Sequence, residues 1–250
     1  MCGTCGCGSA VRVVDPEHGH GHDHGTGHGH GHGERTVALE VDLLAKNDDV
    51  AAGNRRWLAE RGIVALNLMS SPGSGKTTLL ERTVRELGLP CSVLEGDQET
   101  LVDAERIRAA GARAVQINTG AGCHLDADMV ARGLATLAPD PGSLLFVENV
   151  GNLVCPALFD LGEAARVVIM SVTEGADKPL KYPHMFRTAD LVLLSKVDLL
   201  PYVDFDVAAW ADGARRARPG VEVLEVSATR GDGMADWYAW LRARAEANTV

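Results

Sequence analysis

The sequence predicts an α/β protein in which a mostly parallel β-sheet is flanked by helices. Two observations support this fold class. Short apolar runs of strand length alternate with longer helical patterns, and several of these runs are rich in β-branched residues and apolar at consecutive positions, so that both faces of the strand would be apolar. Such strands are typical of parallel sheets, because helices cover both faces of the sheet. We predict strands at residues 63–70, 91–94, 114–118, 144–147, 167–172, 191–194 and 221–226, and helices after Gly75, Glu99, Leu125, Asp206 and Asp232.

Composition limits the classes of function. The chain of 250 residues carries a formal net charge of −10, and 46% of its residues are hydrophobic, which is enough for one large core. The acidic balance argues against nucleic acids and anionic membranes as partners, because both bind basic surfaces. No apolar run approaches the ~20 residues of a membrane span, and the first residues do not resemble a secretory signal. We therefore expect a cytoplasmic protein.

The first 34 residues differ in composition from the rest of the chain. They are rich in cysteine and histidine and poor in apolar side chains, so we expect a flexible arm in the absence of metal. The sequence thus divides into a metal-binding arm at residues 1–34 and a folded domain at residues 35–250. From Thr36 onward, an apolar pattern predicts one or two helices that lead into the core.

A glycine-rich segment directly after the first predicted strand has the pattern of a phosphate-binding P-loop. Residues 70–78 are Ser-Ser-Pro-Gly-Ser-Gly-Lys-Thr-Thr, and good helix formers follow them. In such a loop the backbone N–H groups surround a polyphosphate, Lys76 reaches the β- and γ-phosphates, and the Thr77 hydroxyl can bind Mg²⁺. Ser70 stands where the general pattern has its first glycine. The predicted nucleotide contacts are Gly73, Ser74, Gly75, Lys76, Thr77 and Thr78.

The end of the sixth predicted strand indicates which nucleotide is bound. The segment Ser-Lys-Val-Asp at residues 195–198 resembles the Asn-Lys-x-Asp guanine motif, with serine for asparagine. The Asp198 carboxylate can accept from guanine N1–H and its exocyclic amine, whereas adenine has no matching donor pair. Lys196 belongs to the same motif, and Ser227 with Ala228 resembles the loop that supports the guanine carbonyl. GTP and GDP are favoured over ATP, and we expect the serine to weaken the tethering of this loop more than the base choice.

Two carboxylates follow strands near the predicted γ-phosphate position. Asp97 ends a Glu-Gly-Asp segment after the second strand, and Glu148 begins Glu-Asn-Val-Gly after the fourth, which resembles a D-x-x-G element. Mg²⁺ prefers octahedral oxygen ligands, which Thr77, the phosphates and these carboxylates can supply. We predict Asp97 and Glu148 as Mg²⁺ ligands and, with Lys76, as catalytic residues. The sequence leaves open which carboxylate orients the attacking water.

Three cysteines at the start of the sequence predict a site for a soft metal. Cys2, Cys5 and Cys7 place three thiols close together, which suits square-planar Ni²⁺, with Zn²⁺ nearly as suitable and a disulfide as the alternative. Seven histidines between residues 18 and 32, spaced mostly by single glycines, form a histidine tract. Imidazoles in such a tract bind Ni²⁺, Cu²⁺ or Zn²⁺ without fixed geometry, as a metal store would. A tag or inert linker is the competing interpretation.

A second set of metal ligands lies in the folded domain. Cys123 and His124 follow the third strand, and Cys155 lies four residues beyond Gly151. These three residues could form a partly open site for Ni²⁺ or Zn²⁺. Because Cys155 follows the segment expected to sense the γ-phosphate, the nucleotide would alter metal affinity. The alternative is that both cysteines are small buried hydrophobic residues.

Together these motifs resemble the hydrogenase nickel-incorporation GTPases of the HypB family, in the SIMIBI class of P-loop proteins. The resemblance covers nearly the whole chain. It rests on the Cys-x-x-Cys-Gly-Cys start, the P-loop, Glu95-Gly96-Asp97 with Asp103, Gly122-Cys123-His124, and the segments 148–156 and 174–179.

The resemblance implies properties that residue spacing does not. It implies slow GTP hydrolysis, a homodimer that forms when GTP is bound, and a metal held at the subunit interface by Cys123, His124 and Cys155. Expected partners are a HypA-type metallochaperone, a peptidyl-prolyl isomerase, and the [NiFe]-hydrogenase large subunit that receives nickel. The cysteine-rich start and histidine tract occur in only part of the family.

Two other functions fit the same motifs. A related GTPase could serve urease or a cobalamin enzyme, although the cysteine-rich start favours hydrogenase. Alternatively, the protein could be a nickel buffer in which the arm matters and the GTPase is vestigial.

Overall fold

A seven-stranded sheet, with every pairing parallel, forms the centre of this computed structural model, which describes residues 31–97, 102–120 and 122–247, with side chains from residue 42 onward. The strands are β1 (Val64–Ser70), β2 (Cys91–Asp97), β3 (Arg113–Asn118), β4 (Leu144–Glu148), β5 (Ala165–Ser171), β6 (Leu191–Ser195) and β7 (Glu222–Val226). Their order across the sheet is β3-β2-β4-β1-β5-β6-β7. The fold class predicted from the sequence is confirmed.

Helices cover both faces of this sheet. They are α1 (Gly31–Ala59), α2 (Lys76–Glu86), α3 (Val102–Ala110), α4 (Ala127–Leu137), α5 (Lys178–Lys181), α6 (Pro183–Arg187), α7 (Val207–Ala217) and α8 (Met234–Ala247), with 3-10 turns at Cys155–Ala157 and Val197–Tyr202. Residues of α2, α3 and α8 pack in one core cluster on one face. Residues of α1 and α4, and of α6 and α7, form two clusters on the other face. Alternate residues of each central strand therefore meet different helices.

Local signals explain where two of the helices begin. Asp126 and Asp206 directly precede α4 and α7, and their carboxylates accept hydrogen bonds from the backbone N–H groups of Met129 and Ala209. These caps satisfy N–H groups that the first helical turn leaves unpaired. The short helices α5 and α6 lie outside the predicted set, although each has proline in its first turn.

The predicted strands are all present, with ends that differ from the predicted ones by up to three residues, and β2 and β4 extend far enough to include acidic side chains. The acidic segment ending at Asp97 belongs to β2, and Glu148 is the last residue of β4, so these carboxylates lie within strands rather than after them. Glu95 is paired in register with Glu148, and Asp97 with Asn118. The ladder continues because its hydrogen bonds involve only backbone atoms, whatever the polarity of the side chain.

One continuous helix, α1, precedes the sheet and begins at Gly31, within the residues that the sequence assigned to the arm. Helical hydrogen bonding does not require apolar side chains, so the composition change did not mark this start. The amides of Asn47 and Asn54 bind backbone atoms of Ala127 and of the turn that precedes β5. These contacts join α1 to the segments on which two of the predicted metal ligands lie. In the described part of the chain, no helix combines the length and the apolar character needed to cross a bilayer.

Candidate functional site

The P-loop connects β1 to α2 at the carboxyl edge of the sheet. Gly73 and Gly75 have φ of 74° and 96°, a left-handed conformation that glycine adopts without steric cost. This backbone turns the N-terminus of α2 toward a cavity of about 620 Å³. Ser74, Thr78, Asp97 and Glu148 also line that cavity. A helix N-terminus facing a cavity of this size provides the N–H donors and the positive dipole end that bind polyphosphate.

Lys76 is the first residue of α2, and its side chain lies almost entirely buried along the loop. Its Nζ donates a hydrogen bond to Ser70 Oγ at 2.8 Å. Burial lowers the pKa of Lys76, while the neighbouring Glu148 carboxylate acts in the opposite direction. Ser70, the departure from the general P-loop pattern, therefore binds the lysine ammonium.

Thr77 and Glu148 meet where a P-loop would bind a divalent cation. Thr77 Oγ1 donates to Glu148 Oε1 at 2.8 Å, and Glu148 Oε2 is buried with no hydrogen-bond partner among the described residues. Burial raises the pKa of Glu148, and the Lys76 charge opposes that rise. A hydroxyl beside a buried carboxylate oxygen that lacks a partner matches the oxygen ligands of Mg²⁺, so these residues fit that ion.

Glu95 adds a second buried carboxylate to the same cavity wall. It is 2% exposed, lies opposite Glu148 in the ladder, and has one buried oxygen without a partner among the described residues. Burial, followed by the charges of Glu148 and Asp97, raises the pKa of Glu95 to about 8. A neighbouring carboxylate raises the pKa of such a group, and a cation placed between the two would reverse the effect.

A smaller cavity of about 360 Å³ adjoins the P-loop on the side of β6 and β7. Asp198 lies at its wall, and Asp198 Oδ1 accepts from Ser227 Oγ at 2.6 Å. That hydrogen bond lowers the pKa of Asp198, so the group is an anionic acceptor. Ala228, another predicted contact of the nucleotide, lines the same cavity.

Two side chains connect this smaller cavity, the candidate base cavity, to the P-loop. Ser195 Oγ donates to Ser74 O at 2.6 Å, and Lys196 Nζ donates to Gly73 O at 2.6 Å. Ser195 therefore still ties the loop after β6 to the P-loop, although it replaces the motif's asparagine. From the opposite side, the guanidinium of Arg82 on α2 donates to Ala228 O at 2.9 Å. Sequence reasoning missed Arg82, because its partner is 146 residues away.

Cys123, His124 and Cys155 are brought together by the fold. Their candidate ligand atoms all lie within 4.8 Å of one another. Cys155 is buried at the start of a 3-10 turn, while Cys123 and His124 are half-buried. The His124 ring stacks on Phe159 with a centroid distance of 3.9 Å. Two thiols and an imidazole at this separation can bind one Ni²⁺ or Zn²⁺ and leave a coordination position open.

These three residues, the Cys/His/Cys cluster, border the cavity of about 620 Å³ at the P-loop, which we name the candidate phosphate cavity, or phosphate cavity for short. Cys123 lines the same cavity as Lys76, and residues 148–152, which lead to Cys155, form another part of its wall. The two candidate sites therefore share protein segments, and a change in one can move ligands of the other. Sequence spacing alone could not establish that proximity.

The sequence profile described as "CobW/HypB/UreG, nucleotide-binding domain" matches residues 64–225, from the first strand to the last. A relative from Rhizobium leguminosarum bv. viciae, named hydrogenase maturation factor HypB, is 58% identical over 219 residues, which cover 87% of this chain and 73% of that protein. The chain belongs to the HypB family of hydrogenase maturation factors. The family suggested by the motifs is thus confirmed.

Two solved HypB structures resemble the described fold. The crystal structure of HypB from Helicobacter pylori in complex with nickel has a TM-score of 0.77 and 38% identity, and the match covers 81% of this chain and 96% of that chain. The structure of hydrogenase maturation factor HypB from Archaeoglobus fulgidus has a TM-score of 0.75 and 42% identity, and the match covers 81% and 100%. The HypB fold is therefore shared by the nucleotide-binding domain described above.

Several predicted residues lie outside the described part of the chain. These are Cys2, Cys5, Cys7 and most of the histidine tract. Within the described part, sequence reasoning missed Arg106, which lines the phosphate cavity and binds Thr78 Oγ1 at 3.2 Å, and Phe159. It also missed Asn67, a fully buried amide in the middle of β1. The available signal was a polar residue inside a strand whose other residues, except Ser70 at its end, are apolar.

Proposed function

We propose that this protein is a GTP-hydrolysing nickel chaperone that delivers Ni²⁺ to the large subunit of [NiFe]-hydrogenase. The observation that carries the proposal is the shared wall between the phosphate cavity and the Cys/His/Cys cluster. A metal site that worked independently of any nucleotide would not need to share residues with the phosphate cavity. A shared wall favours a nucleotide switch that controls metal release, because a change in the phosphate cavity can move the segments that carry the metal ligands.

The nucleotide is GTP, held by the P-loop and the base cavity. Gly73, Ser74 and Gly75 present backbone N–H groups to the phosphates, and Thr77 and Thr78 lie at the start of α2 beside them. Asp198 accepts from the guanine N1–H and amine, while Ser227, Ala228 and Lys196 hold the base loop in place. ATP would leave the Asp198 carboxylate without donors, which is why the geometry supports guanine.

Hydrolysis is assigned to the wall of acidic residues and to Lys76. Lys76 neutralises negative charge on the phosphates, and either Asp97 or Glu148 orients the attacking water. Mg²⁺ bound through Thr77, Asp97 and Glu148 would supply charge neutralisation between the phosphate oxygens. GDP and phosphate are the products.

Ni²⁺ is the cargo rather than a resident cofactor. Cys123, His124 and Cys155 provide soft and borderline donors with an open position from which the ion can be transferred, and Zn²⁺ is the competing ion there. Residues 1–34 are proposed to be a separate metal-binding arm, in which Cys2, Cys5 and Cys7 bind Ni²⁺ tightly and the histidine tract stores it. We expect the protein to act in the cytoplasm, where its cysteine ligands stay reduced.

The surface beside the cluster supports one of the proposed partners, a second copy of this chain. Val154 and Leu158, which flank the buried Cys155, are 50% and 46% exposed. Exposed apolar residues next to a metal site support a protein interface there, which we assign to a GTP-dependent homodimer. A HypA-type metallochaperone, a peptidyl-prolyl isomerase and the hydrogenase large subunit are the further partners proposed.

The test replaces Lys76 by alanine in the full chain. We expect the affinity of the Lys76→Ala variant for nucleotide to fall at least about 100-fold, because the variant lacks the buried ammonium that binds the phosphates. Hydrogenase activity should be lost in a strain that carries only this variant, while nickel bound to the arm is retained. Lys181→Ala, at an exposed surface position, is the matched control. Normal hydrogenase maturation by Lys76→Ala would overturn the switch function.

A second test separates the arm from the nucleotide domain. Cys2→Ala or Cys5→Ala should weaken tight nickel binding in a chelator competition without changing GTP turnover. A parallel fall in turnover would mean that the arm docks on the nucleotide domain.

The second candidate function, maturation of urease or a cobalamin enzyme, is kept because the matching family profile also names UreG. A deletion strain that loses urease but keeps hydrogenase activity would favour it. If the isolated arm, residues 1–34, replaced the whole protein when nickel was added, a storage role would be favoured instead.

A further inference from the structure

The side chain of Asn149 connects two segments of the site. Asn149 is 1% exposed, and its Oδ1 accepts hydrogen bonds from the backbone N–H groups of Leu125 at 3.1 Å and Val150 at 3.0 Å. Its Nδ2 donates to Asn67 Oδ1 at 3.2 Å. An asparagine with this many buried hydrogen bonds has one defined orientation, and any loss leaves a buried polar group unpaired.

The orientation of this amide is set from the sheet interior. Asn67 Nδ2 donates to Glu163 Oε1 at 3.3 Å, and the same oxygen accepts from Arg166 Nε at 2.6 Å. Because Glu163 Oε1 accepts from the Arg166 guanidinium, which can only donate, this oxygen is an acceptor, and Asn67 presents its NH₂ to Glu163 and its oxygen to Asn149. Asn149 must then present its own NH₂ to Asn67 and its oxygen to Leu125. A salt-bridged glutamate thus determines how Asn149 binds the loop.

The position of Asn149 in the chain gives this contact its meaning. It directly follows Glu148, whose carboxylate binds Thr77, and it precedes the cavity-lining residues that lead to Cys155. Leu125 directly follows His124. One metal ligand is therefore joined to residue 149 through the chain, and the other two through a hydrogen bond.

We propose that Asn149 is a positioning residue that couples the nucleotide cavity to the Cys/His/Cys cluster. The inference rests on the proposed function, in which metal affinity depends on nucleotide state. When the charged phosphates and Mg²⁺ bind beside Glu148, they shift the end of β4. The Asn149 amide passes that shift to Leu125, so that the distance between the Cys123–His124 pair and Cys155 changes. Without the amide, the two segments would move independently.

The experiment measures nickel affinity in two nucleotide states. The full chain carries Cys→Ser changes at residues 2, 5 and 7 and His→Gln changes at the seven histidines of residues 18–32, so that the arm does not bind metal. Ni²⁺ affinity is determined by chelator competition. Each protein is measured with GDP and with a non-hydrolysable GTP analogue, both with Mg²⁺. We expect the parent protein to show at least about a 5-fold difference, the lower end of typical coupling between sites. Asn149→Ala should reduce this difference in Ni²⁺ affinity to less than about 2-fold, while its affinity for GDP itself stays within about 3-fold of the parent.

Two further variants distinguish positioning from general destabilisation. Asn54→Ala removes another buried amide, 6% exposed, whose bonds go to the carbonyls of Ala127 and Leu161, and it should keep the nucleotide-dependent difference. Asn149→Ser is the second variant if Asn149→Ala does not fold, because its shorter side chain keeps a polar group but does not reach Leu125.

Each outcome decides between the two hypotheses. A difference that is present in the parent and in Asn54→Ala but lost at position 149 supports the inference. A difference that persists in both position 149 variants overturns the inference and leaves the proposed function intact. If the parent itself shows equal affinities, nucleotide gating and this coupling role both fail.

Discussion

Replacing Glu95 by glutamine should stabilise the nucleotide-free protein at alkaline pH. The Glu95 carboxyl is buried in β2 beside Glu148, and its pKa is raised from 4.5 to about 8, first by burial and then by the neighbouring charges. Glutamine keeps the shape of the protonated acid without a charge. The variant therefore removes the cost of ionising this group in the folded state.

The magnitude follows from the pKa difference. The folded state holds this proton more tightly than the unfolded chain, so the free energy of unfolding falls as pH rises from 4.5 toward about 8. The full shift corresponds to about 5 kcal/mol, and about 3 kcal/mol of it develops between pH 5.5 and pH 9. Water in the adjacent open cavity screens part of this electrostatic interaction. We therefore expect the free energy of unfolding of Glu95→Gln, relative to the parent protein, to be about 2 to 3 kcal/mol higher at pH 9 than at pH 5.5.

Urea denaturation of the full chain without nucleotide, followed by tryptophan fluorescence, measures this effect. Trp210 and Trp237 are fully buried and report unfolding on both sides of the sheet. Glu222→Gln, an exposed glutamate on strand β7, is the matched control and should show no pH-dependent gain. If Glu95→Gln followed the same pH dependence as the parent protein, the buried-carboxylate reasoning would be refuted.

Three other predictions test separate parts of the structure. Arg82→Ala should raise the Kd for GDP about 5-fold with little change in turnover, because the loop at Ala228 loses its hydrogen bond from Arg82; titration with fluorescent GDP measures this. Asp198→Asn should shift preference from guanine toward xanthine nucleotides, since an amide NH₂ faces the base; competition titrations would show it, and unchanged preference would argue against the base contact. Gly162→Ala should destabilise by about 2 to 4 kcal/mol in urea, whereas Gly53→Ala in open space should not, because an added Cβ at Gly162 would lie 2.6 Å from Ala51 O with φ of 88°.

Much of the fold was predictable because its signals are local. The β1 segment is buried at all seven positions, and such two-sided apolar runs identify the strands of a helix-covered sheet. The helices predicted after Leu125 and Asp206 correspond to α4 and α7, which begin directly after the capping residues Asp126 and Asp206. The start of α1 and the ends of β2 and β4 were predicted less accurately. For the strands, the reason is that a backbone ladder can continue through polar residues and that its end depends on the neighbouring strand.

The candidate site was predictable in identity and only partly in arrangement. Lys76, Thr77 and Asp198 belong to contiguous motifs, so their grouping needed no structure. The sequence predicted Glu148 as an acid near the γ-phosphate, but its contact with Thr77 spans 71 residues of sequence. The stacking of Phe159 on His124 carries no sequence pattern.

By itself, the sequence determined the fold class, the P-loop, the guanine motif and the residue types available for binding metal. Each depends on residues close in sequence, whose periodicity or spacing expresses a local physical requirement. The tertiary structure alone decided that Cys123 borders the phosphate cavity, that burial beside Glu148 raises the pKa of Glu95, and that Asn149 holds the loop after His124. Those properties depend on burial and on contacts between distant segments, which arise only when the sheet order brings β1, β2 and β4 side by side.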